Sequence, residues 1–474
     1  MILAKPVKTY VCTECGAVFP KWAGRCETCG AWNTLEEQVA PSPLPGGLKD
    51  AARRAGTKIE FVGLEGLSPP PPRIPSTIAE FDRVLGGGLV PASVVLVGGD
   101  PGIGKSTLLL QASAALGRSG REVIYISGEE SVDQIRLRAL RLGLTDAPLH
   151  LAAATQLGDI LASLRQFPKA ALVVIDSIQT MWAENVESAP GSVSQVRAAA
   201  FELIRAAKTQ GFALLLVGHV TKDGGLAGPR VLEHMVDVVL HFEGDRGHQF
   251  RILRGIKNRF GATDEIGVFE MTGQGLAEVA NPSALFLAER RGNVAGSAVL
   301  AGLEGSRPVL VEIQCLLAPN PSGSPRRSVI GWDSGRLAML LAVLETRCGM
   351  KLATNDVYLN VAGGLRVNEP AADLAVAAAL ISAAADVPTD PQMVFFGEIG
   401  LSGELRQVAQ TELRLKEAAK LGFSRAAGPK RVAGGTGRLH IPKTLTLTEI
   451  GHLTDLAGLV ATGQKPAPKR HKEG

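Results

Sequence analysis

Residues 98–107 read GGDPGIGKST. Within them the pattern G-x-x-x-x-G-K-S runs from Gly99 to Ser106, after the apolar SVVLVGG and before the helical STLLLQASAAL. Strand, glycine loop and helix in that order make the motif credible. Its glycines let backbone N–H groups wrap phosphates at a helix N-terminus. A nucleotide site is therefore expected on Gly99, Asp100, Pro101, Gly102, Ile103, Gly104, Lys105, Ser106 and Thr107. Lys105 would reach the β- and γ-phosphates and Ser106 would ligate Mg2+.

After this loop, EVIYISGEE, ALVVIDS and FALLLVGHV repeat the strand pattern at helical spacing. Strands separated by helices imply a parallel sheet covered on both faces. The following VDVVLHFEGDRGHQFRILRGIKNRFG is expected to add antiparallel strands that close the sheet. Asp176 ends one buried strand, where an acid can hold Mg2+ through water or cap the next helix. Glu129 and Glu130 follow another strand, where a carboxylate can orient or deprotonate an attacking water, or start a helix. His219 and Thr221 end a third and are candidates for sensing the γ-phosphate.

Two cationic stretches lie beyond. KDGGLAGPR sets three glycines between Lys222 and Arg230, which is a mobile connection or a positive loop that grips phosphates in a central channel. RGIKNRFGATDE, residues 254–265, places Lys257 and Arg259 two apart, with Arg254 upstream. Such a small cluster is ordinarily a solvated strand end.

A chain of 474 residues exceeds one hydrophobic core and calls for two or three domains. Its 45% hydrophobic and 20% charged residues are those of a soluble globular protein, while 4% aromatics leave little for base stacking. The net charge of +4 permits a nucleic-acid partner without requiring one. No apolar run is long enough to span a bilayer and no signal pattern follows Met1, so a cytoplasmic location is expected. Four of the six cysteines, Cys12, Cys15, Cys26 and Cys29, form two C-x-x-C pairs. Two knuckles of thiolates aimed at one centre suit a tetrahedral structural Zn2+, with a short loop between them.

These patterns give a zinc module at 1–38, a Pro/Gly-rich linker at 39–72, an ATPase core at 73–280, a second domain at 281–464 and a basic tail at 465–474. The fold class is multidomain α/β.

Beyond the loop, CTECGAVFPKWAGRCETCGAWNTL, RIPSTIAEFDRVLGGGLVPASVVLVGGDPGIGKSTLLLQ, YISGEES, VLEHMVDVVLHFEGD and KNRFG resemble the bacterial RadA (Sms) family over nearly the whole chain. The resemblance implies a RecA-like ATPase core related to hexameric ring helicases of recombinational repair, with DNA and the recombinase RecA as partners. It assigns Glu129, rather than Glu130, as the catalytic carboxylate. It gives KNRFG a role at the neighbouring subunit's nucleotide, with Lys257 first and Arg259 second, and leaves Arg254, Lys222 and Arg230 as DNA contacts. The zinc module would contact RecA or hold forked DNA.

The C-terminal half, DVYLNVAGGLRVNEPAADLAVAAALIS and FFGEIGLSGELRQV, resembles the α+β proteolytic domain of Lon. Ala371 stands at the serine position and Glu412 at the lysine position, with Lys416 one turn away, so a non-proteolytic scaffold is expected. Arg326 and Arg327 form a small basic candidate on it. Two other classes stay open: a nucleotide-switched regulatory ring like KaiC, which shares FDRVLGGGL, and an ATP-dependent protease, against which Ala371 argues.

Overall fold

A computed structural model describes residues 8–13, 17–19, 21–39, 72–218, 231–244, 249–263, 265–287, 290, 294–320, 324–431 and 439–462. Nearly all of the expected linker, the whole basic tail, and Cys15, His219, Thr221, Lys222 and Arg230 lie outside the described residues. The chain divides into two compact units, Met1–Glu278 and Val279–Gly474.

The first unit begins with a small antiparallel sheet in the order β2-β1-β3, made of β1 (Lys8–Cys12), β2 (Val18–Phe19) and β3 (Leu35–Val39). Among the described residues its core is Cys12, Cys26 and Leu35 with a few half-buried neighbours. So small a core needs a further crosslink to be stable.

Helix α1 (Ala79–Leu85) precedes β4 (Val94–Gly99), and α2 (Lys105–Arg118) follows the glycine loop. Then come β5 (Glu122–Ser127), α3 (Val132–Arg141), β6 (Leu149–Ala153), α4 (Leu157–Leu164), β7 (Ala170–Asp176), α5 (Val193–Gln210), β8 (Ala213–Val217) and α6 (Val231–Met235). Four strands finish the unit: β9 (Val238–Glu243), β10 (Phe250–Asn258), β11 (Ile266–Thr272) and β12 (Gly275–Glu278). They form one sheet in the order β12-β11-β10-β9-β4-β8-β7-β5-β6. Every residue of β4 is buried, because the two faces carry separate cores. Val95 and Val97 join one of them, Val94 and Leu96 the other, as the two-residue strand period requires.

The antiparallel closure lies in β10 to β12, but β9 pairs parallel with β4. β9 therefore points the same way as β4 and β8, the direction of the parallel part of the sheet. Helix α2 buries Leu108, Leu109 and Leu110 against this sheet, each worth roughly 1.5–3 kcal/mol of apolar burial. That fixes the helix N-terminus, and with it the glycine loop, at the carboxyl edge of the strands.

The second unit holds a seven-stranded mixed sheet in the order β15-β16-β14-β13-β17-β20-β21. Its elements are α7 (Pro282–Phe286), β13 (Ser297–Glu304), β14 (Arg307–Pro319), β15 (Arg327–Ile330), α8 (Ser334–Cys348), β16 (Asn355–Val361), α9 (Asp373–Ala385) and β17 (Met393–Phe395). A short ribbon of β18 (Glu398–Ile399) and β19 (Leu405–Arg406) leads to α10 (Thr411–Lys420), β20 (Arg425–Pro429), β21 (Thr446–Ile450) and α11 (Leu453–Thr462). The Ala-rich α9 is buried on all sides from Asp373 to Ser382, because alanines let neighbouring elements approach closely. No helix among the described residues is long and apolar enough to cross a membrane.

Candidate ATP site and zinc centre

The glycine loop takes its shape from left-handed or otherwise L-disfavoured backbone at Gly99 (φ 148°), Gly102 (φ 77°) and Gly104 (φ 117°). A Cβ at Gly99 would lie 2.5 Å from the Phe242 carbonyl, and one at Gly104 would lie 2.9 Å from Met271 Cε. Gly99 therefore excludes a side chain by space as well as by φ, and Gly104 by φ, since the flexible Met271 end can give way. Lys105 is buried and its Nζ donates to the carbonyls of Gly99 at 2.7 Å and Asp100 at 2.9 Å. Its ammonium thus lies curled over its own loop. Burial pulls the Lys105 pKa below the usual lysine value, while Asp176, Asp100 and Glu129 work the other way.

Asp176 ends β7, buried, and accepts from Tyr125 Oη at 2.5 Å. Tyr125 sits on the adjacent β5, one same-face step from the residue opposite Asp176. Asp176 does not cap the short helical turn that follows, whose N-cap is Ser177 without a side-chain bond. Ser106 and Asp176 offer a hydroxyl and a carboxylate, the oxygen donors that Mg2+ takes. The two glutamates diverge. Glu130 is tied to Arg138, whereas the exposed Glu129 accepts from Ser177 Oγ at 2.5 Å, beside Asp176. The loop, Lys105, Asp176 and Glu129 thus converge at the carboxyl edge of β4, β5 and β7, where open α/β sheets bind ligands.

The cations of KNRFG are elsewhere. Lys257 is opposite Val239 and Asn258 is opposite Val238, at the starting end of β9 and therefore of β4. Lys257 Nζ donates to the carbonyls of Glu233 and Val236 at 2.7 and 2.8 Å. Burial and Arg259 lower its pKa, and Asp237 and Glu233 oppose them. Arg259 is exposed and pairs with Asp237 at 3.3 Å. The rest of the motif is structural. Asn258 bonds the Val84 carbonyl and the Phe260 amide, Arg73 bonds the Phe260 carbonyl, and a Cβ at Gly261 would meet Gly86 Cα at 3.3 Å. KNRFG and the glycines of LGGGL are one docked pair of turns.

Arg254 departs from its expected role. It is buried inside the sheet and its Nε donates to Glu243 at 3.2 Å, so it is an internal ion-pair partner and not a surface offered to DNA. Burial would raise the Glu243 pKa, but His241 and Arg254 outweigh it and leave it lowered.

In the zinc module the Sγ atoms of Cys12, Cys26 and Cys29 lie within 4.8 Å of one another, with Cys12 and Cys29 3.7 Å apart. Zn–S bonds of ~2.3 Å in a tetrahedron set sulfur atoms ~3.8 Å apart, so the three fit one zinc ion. The knuckles repeat each other: Cys12 N donates to Ala17 O and Cys26 N to Ala31 O, five residues on in both. Gly30 supplies the left-handed turn of the second (φ 77°).

In the second unit Ala371 is buried and its carbonyl accepts from Gly397 N at 2.8 Å. The buried Arg414 donates to Glu369, two residues before Ala371, at 2.6 Å and to the Ala301 carbonyl at 2.7 Å. Glu412 accepts from His440 N, and Lys416 is exposed, 3.8 Å from Glu412. Arg326 is exposed, whereas Arg327 is bound to the Asn355 carbonyl.

Sequence reading missed Tyr125, Ser177, Asp237 and Arg251. Tyr125 and Ser177 lie within the quoted strand-end stretches, and the sheet order is what brings Tyr125 to Asp176, Ser177 to Glu129 and Arg251 to the loop.

Three family models match: an AAA domain over residues 71–225, a rubredoxin metal-binding domain over 10–37, and subunit ChlI of Mg-chelatase over 337–431. These fit the observed P-loop core, zinc ribbon and Lon-like second unit, with ATP and Mg2+ in the first and structural zinc in the ribbon. Among solved structures, an isolated ATPase domain aligns with a TM-score of 0.40 and 13% identity, covering 44% of this chain and 92% of that one. The chain is 54% identical over 464 residues to DNA repair protein RadA of Brucella abortus, covering 97% of this chain and 98% of that one. It is 53% identical over 424 residues to the protein of that name in Rickettsia felis (89% and 94% covered) and 50% over 435 in Bacillus subtilis (90% and 93%). With half or more of the aligned positions identical along most of its length, the chain belongs to the DNA repair protein RadA family.

Proposed function

We propose that this chain is a DNA-dependent ATPase of recombinational repair that works in the cytoplasm as a hexameric ring. It binds single-stranded and branched DNA and drives branch migration of recombination intermediates with RecA. The observation that carries this reading is the direction of β10. Arg251, near its start, bonds the phosphate loop, and Lys257 comes six residues later. At ~3.4 Å per residue that is ~20 Å, farther than a side chain reaches. Lys257 and Arg259 therefore have no access to the nucleotide of their own subunit. A neighbouring subunit's nucleotide, whose transition-state charge they would stabilise, gives them a use.

Within one subunit, Lys105 grips the phosphates, Ser106 and Asp176 hold Mg2+, and Glu129 orients the attacking water. Lys222 and Arg230 would track the DNA backbone. The second unit serves as a scaffold without peptidase activity. In support, Ala371 has no hydroxyl to acylate, and Arg414 is locked to Glu369 beside it.

The test is ATP hydrolysis and branch extension on a three-stranded junction, for wild type and Lys257→Ala, with ring formation checked by light scattering. A variant that forms rings and binds ATP and single strands, yet neither hydrolyses nor extends, puts the cation at the nucleotide. Mixing it with Lys105→Ala subunits then tests action between neighbours. Surviving hydrolysis with lost DNA binding makes KNRFG a DNA contact instead. A wild type that ignores DNA and moves no branch leaves a nucleotide-switched regulatory ring.

A further inference from the structure

We infer that Arg251 is a positioning residue of the phosphate loop: it fixes the peptide plane between Ile103 and Gly104 so that the Gly104 N–H faces the bound phosphates. Arg251 lies on β10, buried, and its Nε donates to the Ile103 carbonyl at 3.2 Å while Nη1 donates to the Phe250 carbonyl at 2.8 Å. A trans peptide is planar, with its C=O and N–H on opposite sides. Holding the Ile103 oxygen toward β10 therefore turns the Gly104 N–H away from β10, to the side where loop amides cradle phosphates.

The loop needs such a clamp. Ile103 stands between Gly102 and Gly104, both at positive φ; its own N–H donates to the Asp100 carbonyl at 3.3 Å and holds the plane before it, whereas the plane between Ile103 and Gly104 adjoins glycine's permissive backbone. Space for the clamp comes from a third glycine. A Cβ at Gly244, just after β9, would lie 2.8 Å from Arg251 Cδ and 3.4 Å from Ile103 Cδ1. Glycine at that position lets the arginine stem pass under the loop. The inference rests on the nucleotide reading of the loop and is independent of ring assembly.

The test separates the donor from the charge. In Arg251→Gln, Nε2 occupies the place of arginine Nε, so the donor stays and the charge goes. In Arg251→Lys the charge stays and no donor remains at that place; Arg251→Met keeps neither. MgADP affinity of the full chain by calorimetry should fall about tenfold in the Met and Lys variants, the loss expected for one phosphate hydrogen bond. The Gln variant should recover most of it. In steady-state hydrolysis KM should rise with kcat little changed, since the N–H serves ground and transition states alike.

Wild-type affinity in Arg251→Met, or recovery in Lys but not Gln, overturns the proposal. Should Arg251→Met fail to fold by circular dichroism, the contrast between Gln and Lys decides alone. Lys105→Ala is the control for the site: if it still binds MgADP like wild type, the nucleotide reading itself fails, whatever Arg251 does.

Discussion

Arg259 and Asp237 are joined twice, backbone N–H to backbone carbonyl at 3.1 Å and Nη1 to Oδ1 at 3.3 Å. The same buried carboxylate accepts from Lys208 Nζ at 2.8 Å and from the Val94 N–H at 3.0 Å. Asp237 is thus the peg that ties KNRFG to the first residue of β4. Asp237→Ala leaves the buried Val94 N–H without its carboxylate, while Lys208 and Arg259, both about half exposed, turn to water. The variant should lose about 2 kcal/mol in urea unfolding, and Asp237→Asn less, because an amide oxygen still serves Val94. Equal stability of Ala and wild type would show that the peg carries nothing.

Tyr125 and Asp176 form the other buried pair that matters for chemistry. Burial first, and then Asp176, raise the Tyr125 pKa well above its ordinary value, so the phenol stays a donor at any working pH. Tyr125→Phe frees the carboxylate to rotate and removes its bond. The Mg2+ needed for half-maximal hydrolysis should rise several-fold and stability fall by about 1–2 kcal/mol. A magnesium titration that overlays wild type is the contrary result.

Burial also sets the alkaline limit of nucleotide binding. The protonated Lys105 is the form that attracts phosphates, and its pKa in the nucleotide-free protein lies below the ordinary lysine value of 10.5. As pH rises, the charged form is lost earlier than in an ordinary lysine. MgADP affinity should therefore decline on the alkaline side before pH 10.5 is reached, as titration calorimetry across that range can record. A flat affinity up to that pH would contradict it.

The six cysteines should fall into three classes under a thiol reagent. Those of the ribbon are shielded while zinc is bound and become reactive together on chelation, with loss of the small sheet, whose apolar core is minimal. Cys315 is buried and burial alone drives its pKa far up, so it should label only after unfolding. Cys348, half-buried and raised less, should label slowly in the native protein. Mass spectrometry of the labelled chain reads all three.

In the second unit, Ala371→Ser should not yield casein degradation. Adding a hydroxyl supplies no base, because Arg414 is already bound to Glu369, and Lys416 is exposed beside Glu412. Glu369→Gln should instead cost about 1–3 kcal/mol, since the amide keeps one oxygen for Arg414, which also bonds the Ala301 carbonyl, but loses the charge that pairs the buried guanidinium. Measurable peptidase activity from the serine variant alone would falsify the claim that no base stands ready there.

Much of this was legible because the chemistry is local. The phosphate loop is a run of consecutive residues whose conformation glycine dictates, and the zinc ligands come in knuckles that close within a few residues. Buried strands announce themselves by unbroken apolar runs, and the helical intervals between them imply a parallel sheet. That residue 371 is an alanine, with no hydroxyl to acylate, is a fact of one position. For each of these the cause lies within a turn or a strand, where a string of letters holds the relevant neighbours.

What the fold alone decided depends on strand order, which no local pattern encodes. β9 runs parallel to β4, and this sends β10 the other way, with Arg251 under the loop and Lys257 far from it. Arg254 shares that strand but is buried, because Glu243 lies diagonally across the ladder from it and takes its charge. Of the two glutamates, Glu130 is claimed by Arg138 on α3, which leaves Glu129 beside Asp176. Contacts between residues far apart in the chain are fixed by the packing of whole elements. The sequence states the elements, and the tertiary structure chooses their neighbours.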